Sequence, residues 1–204
     1  MGIIRRTRVV KMSSSSDPDF APIWDKICNG AVLGADKSYI ADTASGGARS
    51  LQYRTSGKWH FEINLGTGRT GFAMVGISYG TLWDSGYSLW SGGSPNNTCP
   101  IYGYPTPVYR IYYAHGRLTL LSGNMSTAGF GDNVVVGFDL DADMNTLRVR
   151  TTTMDATYQI NGRNQTDPIY VIGGAGSGII YNMRLIAQEP FTWTPMEGYL
   201  PFCK

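Results

Sequence analysis

The sequence predicts an all-β domain, a two-sheet antiparallel β-sandwich preceded by an extended N-terminal arm. Three observations carry this reading. Glycine is abundant, 26 of 204 residues, and it punctuates the chain between short apolar runs. Those runs alternate at period two and not at helical spacing. Charged residues make up only 16%, against about 25% in an average soluble domain, and Gly, Tyr, Ser and Thr fill the difference. Many short strands joined by glycine-rich turns indicate a sandwich or jelly roll.

The arm comes first. Residues 1–12 carry Arg5, Arg6, Arg8 and Lys11 with no acid, and an apolar Ile3/Ile4 pair near the tip. Ser13 to Ser16 and Asp17-Pro18-Asp19 then form a polar linker. Residues 1–19 are therefore read as arm and linker, and 20–204 as one β-sandwich domain. Four cations beside an apolar pair suit docking onto an acidic groove of a neighbouring subunit. Residues 1–12 lack the apolar stretch of 7–15 that a secretory signal needs, so synthesis in a cytosol is expected.

In the domain, residues 58–65 alternate. Trp59, Phe61, Ile63 and Leu65 fall on one face, and Lys58, His60, Glu62 and Asn64 on the other, expected to be solvated. Residues 72–78 are almost all apolar or small, the pattern of a strand covered on both faces. Gly66 to Gly71 between them reads as a hairpin loop. Residues 134–141 alternate again, with Val134, Val136, Phe138 and Leu140 inward and Asp139 and Asp141 outward. Leu147 and Val149 continue inward after a loop at 142–145. That loop length sets Leu140 opposite Leu147 and Phe138 opposite Val149, and brings Asp139 across from Arg148. An opposite-charge cross-strand pair stabilises by about 0.2–1 kcal/mol, so apolar and charge patterns agree on one register. Strands follow at 169–172 and 179–186, with Gly173 to Gly178 read as a flexible turn. The expected core is Trp59, Phe61, Ile63, Val136, Phe138, Leu140, Leu147 and Val149.

Composition also limits function. The formal charge is +2, from 17 basic and 15 acidic residues, too balanced for a specific nucleic-acid footprint. No run approaches the ~18 apolar residues of a membrane span. Three widely spaced cysteines, Cys28, Cys99 and Cys203, give neither a disulfide framework nor a zinc site, and free thiols are expected. Asp139, Asp141, Asp143 and Asn145 have calcium-loop spacing, but Met144 and Arg150 stand where such a loop needs Gly and a bidentate Glu; the hairpin explains these residues better. Gly66, Gly68 and Gly71 fit a dinucleotide glycine pattern, yet a strand follows where the pyrophosphate needs a helix. No cofactor and no metal is expected. His60 and His115 are the only histidines, and no nucleophile elbow accompanies them. No catalytic residue is assigned.

The stretch 79–113 holds nine of the 13 Tyr and 5 Trp, set among Gly, Ser, Asn and Pro. Rigid aromatic area beside small adaptable residues is the chemistry of recognition loops. Trp83, Tyr87, Trp90, Tyr102 and Tyr104 are the candidate ligand-binding residues, the ligand class being a host glycan or a surface protein. The competing reading is that these rings pack at the sandwich edge.

Several segments in order resemble the SPRY family. Ser56-Gly57-Lys58-Trp59-His60-Phe61-Glu62-Ile63 looks like its early strand, and Val75-Gly76-Ile77-Ser78 like a later one. The run from Gly131 to Asp141 resembles its Gly-Asp-x-Val hairpin. Pro190-Phe191-Thr192-Trp193-Thr194-Pro195 with Gly198-Tyr199-Leu200-Pro201 is similar to the C-terminus of SPRY-like domains in bacteriophage structural proteins. Residues 151–155 intervene before Ile160-Asn161-Gly162, and Asn182-Met183-Arg184 replaces the family's Asn-Phe-Gly. The resemblance implies a SPRY/concanavalin-like jelly roll that binds and does not catalyse. With the basic arm, it implies a phage virion subunit, a capsid decoration or cement protein or a tail-tip subunit, made in the host cytoplasm. Its partners would be other capsid or tail proteins, further copies of itself, and a host glycan or surface protein. Two alternatives remain: an intracellular SPRY adaptor gripping a partner peptide, and a carbohydrate-active enzyme on a jelly roll.

Overall fold

The computed structural model describes residues 22–28, 30–43, 46–68, 70, 72–80, 98–103, 112–113, 117–124, 131–175 and 178–204. The expected arm and linker, with Ile3, Ile4, Arg5, Arg6, Arg8 and Lys11, lie outside these residues, as do Trp83, Tyr87, Trp90 and Tyr104. Every element among the described residues is a strand. In chain order they are β1 (Trp24–Cys28), β2 (Val32–Leu33), β3 (Tyr39–Asp42), β4 (Gly47–Arg54) and β5 (Lys58–Asn64). Next come β6 (Ala73–Tyr79), β7 (Thr98–Gly103), β8 (Tyr112–Tyr113), β9 (Leu118–Asn124) and β10 (Val135–Asp141). The last are β11 (Thr146–Arg150), β12 (Asp155–Ile160), β13 (Ile169–Ala175), β14 (Tyr181–Ile186) and β15 (Leu200–Pro201).

Two sheets form. One runs β1-β4-β13-β6-β7-β8; the other runs β2-β3-β14-β5-β10-β11-β12-β9, with β15 added parallel to β5. All other pairings are antiparallel. The core between the sheets follows the expected alternation. Phe61, Ile63, Val136, Phe138, Leu140, Leu147 and Val149 are all fully buried. Phe138 pairs with Phe61 on one side and Val149 on the other, and Leu140 pairs with Leu147. The Phe61 and Phe138 rings stack at 4.8 Å, and Phe202 meets Phe61 edge-on at 5.5 Å. Trp59 is only half-buried. Its indole N–H donates to the Ser56 carbonyl at 2.6 Å, and the Arg54 guanidinium lies over the ring at 4.2 Å.

Four expectations are corrected. The face carrying His60 and Glu62 is not solvated: both are 0% exposed, Asp139 is 1% and Asp141 is 6%. The C-terminal strap, residues 188–199, lies over this outer face before β15 joins the sheet beside β5 and Phe202 turns into the core. Second, Gly66 to Gly71 does not close a hairpin, because β5 and β6 belong to different sheets. It is a crossover, and Gly66 (φ 65°) is needed there: a Cβ would lie 1.9 Å from the Tyr181 carbonyl oxygen. Third, Gly173, Gly174 and Ala175 are not part of a turn but finish β13, paired to β6 and buried. Fourth, 79–113 is not one loop. β7 crosses it, paired along its whole length with β6.

The strand order fixes what each end of the sandwich carries. At the end called upper here lie the turn 55–57, the hairpin 142–145, residues 161–168, and both attachment points of 81–97, since Ser78 pairs with Thr98. At the lower end lie 65–72, 151–154 and the start of 104–111, since Ala73 pairs with Gly103. Six strand residues separate the ends, about 20 Å at the usual rise.

Candidate functional site

The upper end is built around Arg163, 6% exposed. Its guanidinium donates to four backbone carbonyls: Thr55 at 2.6 Å, Ala142 at 2.7 Å, Asp167 at 3.0 Å and Gln165 at 3.1 Å. It also donates to Asn145 Oδ1. Carbonyls need such donors where a loop leaves its ladder, and the five N–H groups of arginine serve several at once. Burial lowers the Arg163 pKa from its ordinary value, against nearby acidic charge. Three loops are thereby tied together. Asp143 strengthens the join by accepting the Gly57 N–H at 3.0 Å, and Gln165 donates to the Asp143 carbonyl at 3.0 Å. Asp141 accepts the N–H groups of Asp143 and Met144, closing the hairpin turn. Next to this cluster, Tyr79 donates its hydroxyl to the Asn161 carbonyl at 2.7 Å, and Gly80 N–H donates to Pro168. The root of segment 81–97 is thus anchored to the loop Arg163 holds. Met144 projects from the same end, 67% exposed.

Of the five predicted ligand-binding residues, Tyr102 lies in β7, opposite Met74 and Tyr112. Trp83, Tyr87 and Trp90 belong to the segment whose two attachment points are at the upper end. Tyr104 follows Gly103 at the lower end. The strand order therefore does not gather the five residues into a single loop.

A second cluster escaped the sequence reading. Beneath the strap, His60 Nδ1 lies 2.7 Å from Asp139 Oδ1, and Nε2 lies 3.4 Å from Glu62 Oε1. Asp139 Oδ2 is ion-paired to Arg150 at 2.8 Å, with Arg148 at 3.9 Å. The predicted Asp139–Arg148 register holds, but the Arg148 fork is spent on Asp155, at 2.6 and 2.7 Å. Glu62 accepts the backbone N–H groups of Thr192 at 2.9 Å and Trp193 at 2.6 Å. Trp193 in turn donates its indole N–H to the Val135 carbonyl at 3.0 Å. It rests on Gly137, where a Cβ would come within 2.7 Å of the ring. The Phe191 ring meets His60 edge-on at 4.5 Å.

Burial alone would lower the His60 pKa, but hydrogen bonds and charge from Asp139 and Glu62 outweigh it, and the pKa is raised above 6.5. Burial alone would raise Glu62; the hydrogen bonds from His60, Trp193 and Thr192 outweigh it and hold the carboxyl below its usual value. Both imidazole nitrogens are committed and the whole group is closed to solvent. It can hold the strap in place but cannot reach a substrate. The one signal in the sequence was His-x-Glu on one strand with Asp on its neighbour, which only the strap converts from exposed to buried.

Among the described residues, two shallow grooves stand out on the surface. One, about 470 Å³, is bordered by Leu51, Gln52, Tyr53 and Arg54 on β4. The other, about 440 Å³, is bordered by Glu189, Pro190, Phe191, Trp193 and Pro195 on the strap. Among the described residues, no group of three or more His, Cys, Asp or Glu could hold a metal ion.

No protein-family model matches the chain, and no curated protein matches it. Solved structures do. The TRIM65 PSpry domain superposes with a TM-score of 0.56 over 82% of this chain and 90% of its own, at 14% identity. The SPRY domain of human HERC1 superposes with a TM-score of 0.52 over 82% of this chain and 99% of its own, at 10% identity. The fold is that of the SPRY domain. At these identities the likeness shows the fold alone. In this SPRY-like sandwich, the strap is the segment that buries the His60 cluster.

Proposed function

We propose that this chain is a non-catalytic binding module and that recognition takes place at the upper end of its sandwich. The observation that carries the reading is the rooting of segment 81–97. Both of its ends leave adjacent strands beside three loops locked by Arg163, so the segment whose sequence holds Trp83, Tyr87 and Trp90 begins and ends on a rigid base. Aromatic side chains on a fixed frame supply contact area at low entropic cost. The partner is a protein surface or a glycan, whose sugar rings stack on aromatic faces. The burial of the His60, Glu62 and Asp139 group beneath the strap supports a binding role over an enzymatic one.

The finer setting we propose is display on a tailed-phage virion, as a capsid decoration or tail-tip subunit. It is supported by the phage-like strap sequence, the basic arm with Ile3 and Ile4, and the Ser/Asp linker. Deleting residues 1–16 should abolish incorporation into particles while the sandwich still folds; unchanged occupancy would refute this setting. The alternative setting is an intracellular adaptor that grips a partner peptide through the same SPRY-like fold. Trp83→Ala and Trp90→Ala test the module itself. Binding to a glycan array or a displayed peptide library should fall with little change in melting temperature. Lost stability with unchanged binding would make the segment structural.

A further inference from the structure

We propose that the strap is a proton-held clasp: the imidazolium form of His60 keeps residues 188–199 closed on the sheet, and its deprotonation loosens the strap at Thr192 and Trp193. The argument is geometric. A neutral imidazole has one N–H and one lone pair, whereas both ring nitrogens here face carboxylate oxygens, which only accept. The contacts are 2.7 Å to Asp139 and 3.4 Å to Glu62. Only the imidazolium donates to both. The neutral ring keeps its proton on the shorter contact and turns its lone pair toward Glu62. Glu62 is the carboxylate that holds the strap: Oε2 takes the Thr192 N–H, and Oε1 takes the Trp193 N–H as well as His60. The repulsion therefore falls on the carboxylate that accepts both strap amides.

The surrounding charges do not replace the lost proton. From β11, Arg150 pairs with Asp139 and lies over the Trp193 ring, 6.0 Å from its centroid, while Arg148 is held by Asp155 and lies 3.9 Å from Asp139. From β5, Lys58 is paired with Asp141 of β10 at 3.7 Å and is half-exposed. From β14, Arg184 lies over Tyr39, 5.1 Å from its centroid. The strap brings the apolar edge of Phe191, and Tyr199 at its far end near Asp141. No second cation reaches Glu62 among these groups. The shift of His60 above its ordinary value agrees in direction. The sign follows: the clasp is fully closed below the unfolded-state pKa of the ring and opens as pH rises through the higher folded-state value.

The test follows the His60 ring nitrogens and the Thr192 and Trp193 amides by NMR, from about pH 5.5 to about pH 9, the range over which histidine titrates. Amide exchange is expressed as protection relative to the intrinsic rate at each pH. In the wild-type chain the ring should lose its proton above 6.5, and protection of both strap amides should fall about tenfold across the same step, one unit of pKa coupling. Amides of β10 should keep theirs. In Glu62→Gln the ring should titrate lower and the strap step should disappear; if that variant does not fold, His60→Gln should show strap protection without a pH step. A wild-type ring that titrates at or below its ordinary value overturns the proposal. So do strap amides that ignore the ring's titration.

Discussion

Replacing Glu62 by alanine should destabilise the domain far more than the loss of one polar side chain would suggest. The carboxylate accepts two strap amides at 2.9 and 2.6 Å and faces His60. Hydrogen bonds to a charged group contribute roughly 1.5–3 kcal/mol each. Removing one partner of a buried ion pair costs about 3–5 kcal/mol, because the other charge is left in low dielectric. These effects overlap, since His60 can lose its proton, so about 3–5 kcal/mol is the expected total. Glu62→Gln keeps an acceptor for the amides and should cost less, about 1–2 kcal/mol. Urea unfolding measures both variants, and the Trp193 environment reports whether the strap has detached. A Glu62→Ala change within about 0.5 kcal/mol of wild type, the usual range for surface substitutions, would refute the reasoning.

Other outcomes follow from the same geometry. Phe138→Ala should cost about 3–5 kcal/mol by lost burial and cavity formation, read from denaturant midpoints. Arg163→Ala should cost about 2–4 kcal/mol by orphaning carbonyls of three loops; Arg163→Lys should not restore it, because an ammonium cannot fork to four acceptors. The pH dependence of stability should show a decline as pH rises from 6.5 through the raised pKa of His60, and His60→Gln should flatten it in thermal melts.

Much of the sandwich was legible in the sequence because local rules agreed. In β10–β11 the loop length, the apolar alternation and the Asp139–Arg148 pair all gave the observed register. The errors arose where a distant segment decides. His60 and Glu62 alternate like solvated residues, and only a strap some 130 positions away covers them. Glycines mark a turn at 66–71 but do not say whether the next strand joins the same sheet. β7 was hidden because Pro100 and Gly103 read as loop residues. Arg163 gave no signal, since its value lies in carbonyls drawn from three separate loops.

The most direct measurement compares the two ends of the sandwich in one binding assay, with wild type, Trp83→Ala/Trp90→Ala and Tyr104→Ala tested against the same glycan array and displayed peptide library. Recognition at the upper end predicts that the double tryptophan variant loses binding while Tyr104→Ala retains it, with melting temperatures alike. Loss of binding in Tyr104→Ala with full binding by the tryptophan variant would contradict the account.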